Sequence, residues 1–124
     1  MSPLRRFTKV RQRMLYKFKS KVTGDVIMLQ PNGQRVLEII GKHSAAEPSI
    51  KGILLPEQMP QALEALRKAV ALEEAQQKEA IAQALADKLP VPRFEAIGLR
   101  QRTLPFMDMI RQCLKDDEAI TWGV

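Results

Sequence analysis

The chain has one thiol and one imidazole, Cys113 and His43. A cysteine nucleophile needs a base beside it, and a zinc site needs three or four donors. His43 follows a helical run with no second histidine and no cysteine at ligand spacing, so it is read as a helix-end histidine. Cys113 falls late in another helical run and is read as a small buried hydrophobe. An enzyme with Cys113 as nucleophile is the least favoured of three function classes, because no base can be identified for it. Asp116-Asp117-Glu118 offer oxygen ligands, but the spacing and glycine of an EF-hand are missing, so they read as a solvated turn. Gly24 and Gly33 form neither GxGxxG nor a P-loop, and each is read as a turn glycine. No serine or threonine has a histidine partner in a triad-like arrangement. Neither a catalytic residue, a cofactor nor a metal site is expected.

Anion binding is the second class. Arg93, Arg100, Arg102 and Arg111 surround the third helical run. Arg100 and Arg102 point about 200° apart if helical and cannot then form one clamp. Were the segment extended ahead of Pro105, both would share a face and grip an anion together. The preferred reading of all four is solvated or internally salt-bridged. The other cationic feature is the leader, where Arg5, Arg6, Lys9, Arg11 and Arg13 stand with no acidic residue among residues 1–13. Removing those five from the formal +6 leaves +1 on residues 14–124, as 15 basic side chains face 14 acidic ones. A nearly neutral body makes nucleic acid an unlikely partner for the folded part. Binding by the leader would be weak and salt-sensitive. The preferred reading is that translation starts at Met14 and the leader is upstream sequence.

These residues must be positioned by a small domain. A chain of 124 residues has room for one hydrophobic core. Its apolar runs, such as Val26 to Leu29, are far shorter than the ~20 residues of a membrane span, and no secretory signal is recognisable. A lone cysteine makes no internal disulfide, which fits a cytoplasmic protein.

Residues 1–13 read as a disordered basic leader. Tyr16 and Phe18 alternate with Lys17 and Lys19, the period of a half-buried strand. Thr23-Gly24-Asp25 supplies a turn, with positive φ available at Gly24. Val26–Leu29 returns as a strand apolar on both faces, which predicts a covered or central place. A short helix follows, with Asn32 as N-cap, Val36, Leu37, Ile39 and Ile40 on one side, and Gly41 as its stop. Residues 44–52 read as a loop. A second helix begins around Pro56 to Pro60 and carries Met59, Leu63, Leu66 and Val70 on one face. That stripe fades from Glu73 to Glu79, so residues 73–92 are expected to project or hinge, with Pro90 and Pro92 ending the helix. The third helix spans about Ile97 to Leu114, with Leu104, Met107, Ile110 and Leu114 on one side and a kink or fresh start at Pro105. Ile120, Trp122 and Val124 alternate as a last strand, which must pair with the hairpin.

The fold class expected is therefore α+β. The order is β-β-α-α-α-β, with a small, mainly antiparallel sheet (N-terminal hairpin plus C-terminal strand) covered on one face by helices, in a single domain spanning 14–124.

Ordered blocks of the chain resemble a small proteobacterial family of unknown function, DUF1840. They are Met14-Leu15-Tyr16-Lys17-Phe18-Lys19-Ser20-Lys21, Gly24-Asp25-Val26-Ile27-Met28-Leu29, Ile39-Ile40-Gly41-Lys42, Lys51-Gly52-Ile53, Met59-Pro60, Leu99-Arg100-Gln101-Arg102 with Pro105, and Trp122-Gly123-Val124. The resemblance covers Met14 to Val124, implies a start at Met14, and transfers no catalytic residue.

The leading function class is then a non-catalytic binding or interaction module, with homodimerisation through a sheet edge expected. Its alternative is an anion-binding module, for nucleic acid or a phosphorylated ligand, using the leader with Arg100 and Arg102.

Overall fold

The computed structural model describes residues 15–44 and 50–123. The basic leader and Met14, and most of the loop expected before Gly52, lie outside the described residues. Among the described residues two strands come first, β1 (Leu15–Lys19) and β2 (Val26–Leu29), paired antiparallel with Leu15 opposite Leu29 and Phe18 opposite Val26. The connection takes in residues 20–25, and Lys17 reaches Asp25 across it at 3.8 Å. Positive φ is not used at Gly24; the described glycines that adopt it are Gly41 and Gly123. A six-residue link can turn the chain without a left-handed residue.

Helix α1 (Gln30–Ile39) follows β2 directly, so Leu29 is its N-cap and Pro31 sits in its first turn. Asn32, expected as the cap, is instead inside the helix. Pro31 has no N–H to be satisfied and its fixed φ suits the first turn, so the helix starts before it. Gly33 is likewise helical rather than a turn residue, and it is buried because the ring of Tyr16 lies where its Cβ would be. Helix α1 ends in a Schellman motif: Gly41 (φ 82°) donates to the Glu38 carbonyl and Lys42 to that of Leu37.

A short strand β3 (Gly52–Leu54) then joins the sheet, followed by a 3₁₀ turn (Pro56–Gln58) and the long helix α2 (Met59–Ala86). Helix α2 runs unbroken through Glu73 to Glu79. From Glu73 to its end only Ala84 is buried. Helix α3 (Leu99–Lys115) passes back along α2 and continues through Pro105. Strand β4 (Ile120–Trp122) enters between β1 and β3, giving the antiparallel order β2-β1-β4-β3. The fold is the expected α+β arrangement, with β3 as a fourth strand.

One face of the sheet is covered. Phe18 lies 4.6 Å from Phe106 and 5.9 Å from Trp122, centroid to centroid, and Leu37, Leu54, Met59, Leu66, Ile110 and Ile120 close around them. Burying each large apolar side chain contributes roughly 1.5–3 kcal/mol. The other face exposes Leu15, Lys17, Ile27 and Leu29. Strand β2 is therefore an edge strand with an open outer face, not the covered strand that its apolar run predicts. Its length of four residues explains the misreading, because alternation has almost no register to show in so short a run.

The face of α3 also needs correction. Leu99, Thr103, Phe106, Ile110 and Cys113 point inward, together with Met107 and Met109, while Leu104 is 50 % exposed and Leu114 is 36 % exposed. Thr103 makes this possible. Its hydroxyl donates to the Leu99 carbonyl at 2.8 Å, so a polar residue sits in the core without an unmet hydrogen bond. Among the described residues no helix is long and apolar enough to cross a membrane.

Candidate functional site

Cys113 is fully buried and its thiol donates to Ser20 Oγ at 3.1 Å. His43 follows the end of α1, with Nε2 4.0 Å from Glu38 Oε1. Among the described residues no group of three or more His, Cys, Asp or Glu side chains is placed to hold a metal. The acidic turn after α3 is that helix's stop. Asp117 adopts φ 54°, its N–H bonds to the Leu114 carbonyl, and the Glu118 N–H bonds to that of Cys113. Asp116 accepts from Gln112 Nε2 at 2.6 Å.

Arg100 and Arg102 both lie in the first turn of α3 and line different clefts. The register of α3 against α2 decides this. Glu73 accepts the Leu99 N–H at 2.8 Å, and the next residue, Glu74, accepts Nε and Nη2 of Arg100 at 2.8 Å each. This two-pronged grip holds the Glu74 carboxyl below its ordinary range and raises the Arg100 guanidinium. Arg102 instead donates to Glu95 at 2.8 Å and to the Ile97 carbonyl at 3.2 Å. The structure does not bring the two arginines together.

The cleft beside Arg102 holds about 380 Å³ between α1, α2 and the chain entering α3. Its charges cancel in pairs, Arg35 with Glu73 at 3.8 Å and Arg102 with Glu95.

The cleft beside Arg100 is different. It holds about 450 Å³ between α2 and α3. Its floor is Val70 and Met107, both buried, with Leu104 at its side. Its rim carries four cations, Arg67, Lys68, Arg100 and Arg111, and one carboxylate, Glu64. Helical geometry produces the two zones. Val70 belongs to the stripe of α2 that packs on the core, and Arg67 and Lys68 flank it on the solvent side. Arg67 meets Glu64 at 3.8 Å and Arg111 meets Asp108 at 2.9 Å, each pair three residues apart on one helix. Exposed pairs of this kind contribute about 0.2–1 kcal/mol and are exchanged at little cost. Lys68 has no carboxylate within 4.0 Å among the described residues. Sequence reading misses Arg67 and Lys68 as site residues. The signal is there, a basic pair beside the Leu63, Leu66 and Val70 stripe, but only the packing shows that α3 lies across that flank.

Comparison with curated proteins and with solved structures returns no match. A family model described as a domain of unknown function, DUF1840, matches residues 14–122. That span takes in every described strand and helix, so this chain belongs to the DUF1840 family.

Proposed function

We propose that the protein is a cytoplasmic, non-catalytic binding module whose ligand surface is the cleft between α2 and α3. The observation carrying this reading is a buried apolar floor under a rim of four cations, three of them ion-paired and Lys68 not among the described residues, in one cleft of about 450 Å³. Small-molecule sites typically occupy roughly 300–1,000 Å³ and place a few polar groups around apolar walls. A role for Cys113 as a nucleophile is the weaker alternative, since its thiol is buried and bonded to Ser20. Anion binding by Arg100 and Arg102 as one clamp is also weaker, since the two side chains line different clefts. A thermal-shift screen of the full chain tests the proposal, because a native-state binder raises stability by mass action. Failure of every compound in a broad screen to raise the melting temperature would sink it.

The open edge favours a second reading, self-association. Strand β2 pairs on one side only, and its outward residues Ile27 and Leu29 are 59 % and 61 % exposed. Pairing of two β2 strands about a two-fold axis would satisfy their free backbone groups and join these apolar patches. Sedimentation at micromolar concentration checks it, and a strictly monomeric species removes it.

A further inference from the structure

We propose that the α2–α3 cleft takes an anionic amphiphile, a small molecule carrying one carboxylate, sulfate or phosphate on an apolar body. The inference rests on the binding-module reading and narrows it to a ligand class.

The floor specifies the body. Val70 and Met107 offer only apolar surface, and Leu104 stands half exposed beside them. Thr103 is the polar residue beneath, and its one hydroxyl proton is committed to the Leu99 and Arg100 carbonyls at 2.8 and 3.3 Å. A sugar or a base lying there would find no donor to replace its lost water.

The rim specifies the head. Arg100 is pinned by Glu74 in a two-pronged bond, so it walls one end of the cleft. Arg111 lies eleven residues further along α3, about 16 Å away at 1.5 Å per residue. Arg67, Lys68 and Arg111 supply the remaining cations. Lys68 has no carboxylate within 4.0 Å among the described residues, and Arg67 and Arg111 each pair with an exposed carboxylate three residues away on their own helix. One anionic group is therefore enough to occupy this end, with the apolar body lying toward Arg100. Bare phosphate would leave the apolar floor in water, and a neutral amphiphile would offer Lys68 no counter-charge.

Three probes separate the contributions: octyl phosphate, octyl glucoside and inorganic phosphate. Each is titrated below its micelle concentration against the full chain, by calorimetry and by amide chemical shifts. The expected result is binding of octyl phosphate at least about tenfold tighter than either other probe, with shifts at Val70, Leu104 and Met107. Lys68→Glu with Arg111→Glu, and separately Leu104→Asp, should each weaken octyl phosphate by about tenfold or more. These side chains are outside the core, and circular dichroism confirms that each variant folds. Equal affinity for the three probes overturns the proposal, as does octyl phosphate binding that both variants leave unchanged. If another compound from the screen shifts the cleft residues while octyl phosphate does not, the ligand class is wrong and the binding module stands. If nothing binds, both fail.

Discussion

The carboxylate of Glu73 accepts the backbone N–H of Leu99, twenty-six residues further along the chain. Leu99 opens α3, so a side chain from the middle of α2 satisfies a donor that the helix itself leaves free. The local N-cap, Gly98, has no side chain for this task. Glu73→Ala is expected to destabilise the fold by about 0.5–2 kcal/mol, as the loss of an N-cap does, and Glu73→Gln by less, since it keeps an acceptor. Urea melts of the two variants measure this, and equal stability of all three proteins would show that the bond is dispensable.

Gly33 should resist replacement for a different reason. A methyl group there would enter the ring of Tyr16, and the neighbouring atoms include the ring carbons and Tyr16 Cβ. Helix propensity alone says that Gly33→Ala gains about 1 kcal/mol. Overpacking typically costs about 1–3 kcal/mol, and Tyr16 is fixed in the core beside Phe18. The net outcome expected is a lower melting temperature. A gain would mean that Tyr16 moves aside freely.

The three described helices end in the same Schellman motif, and only α1 uses glycine for the left-handed position. At the end of α2, Lys88 takes φ 56° while Leu89 bonds to the Ala84 carbonyl. A left-handed conformation costs a residue with a Cβ about 1–2 kcal/mol. Lys88→Gly is accordingly expected to stabilise by about 1 kcal/mol, and Gly41→Ala to destabilise by a similar amount. The Gly41 site is open, with nothing within 4 Å of an added Cβ, so any loss there reports backbone conformation alone. Chemical denaturation of both variants gives the signs.

The Arg100–Glu74 pair makes a pH prediction. Hydrogen bonding from Arg100 holds the Glu74 carboxyl below its ordinary value of 4.5. A carboxyl with a depressed folded pKa contributes stability that is complete above the ordinary value and is lost as pH falls through the depressed one. Both groups are exposed to solvent, so the effect is small and salt-sensitive. Urea midpoints of the native protein and Glu74→Gln at low salt should differ at neutral pH and converge in acid. A difference that persists in acid would assign the effect to something other than the carboxylate charge.

Much of the scaffold is legible from periodicity. Tyr16 and Phe18 mark the inner face of β1, and Met59, Leu66 and Val70 mark that of α2, because five or more residues of alternation or helical spacing leave little choice of face. Strand β3 is three residues long and begins with Gly52, against which the indole of Trp122 packs, so it shows no period at all. Helix α3 offers two apolar stripes. Leu104 and Leu114 outweigh Thr103 and Cys113 by hydrophobicity, but the inward face also carries Leu99 and Phe106, and the hydroxyl bond to Leu99 lets Thr103 join them. The cleft is legible in part. Arg100 and Arg111 stand out as cations on the third helix, whereas Arg67 and Lys68 join them only through packing between two helices.

Helix α2 is one helix with two different supports. Its first half lies against Phe106 and Ile110, while the second half, beyond Glu73, buries little except Ala84. Over 28 residues, about 42 Å at 1.5 Å per residue, an unbroken ladder of hydrogen bonds therefore passes from a packed core to water. Amide hydrogens from Leu63 to Val70 should exchange with solvent only when the whole domain unfolds, and those beyond Gln76 through local fraying. Stabilisation by a bound ligand should therefore slow exchange across the supported half, Leu63 to Val70, and fade toward Ala86.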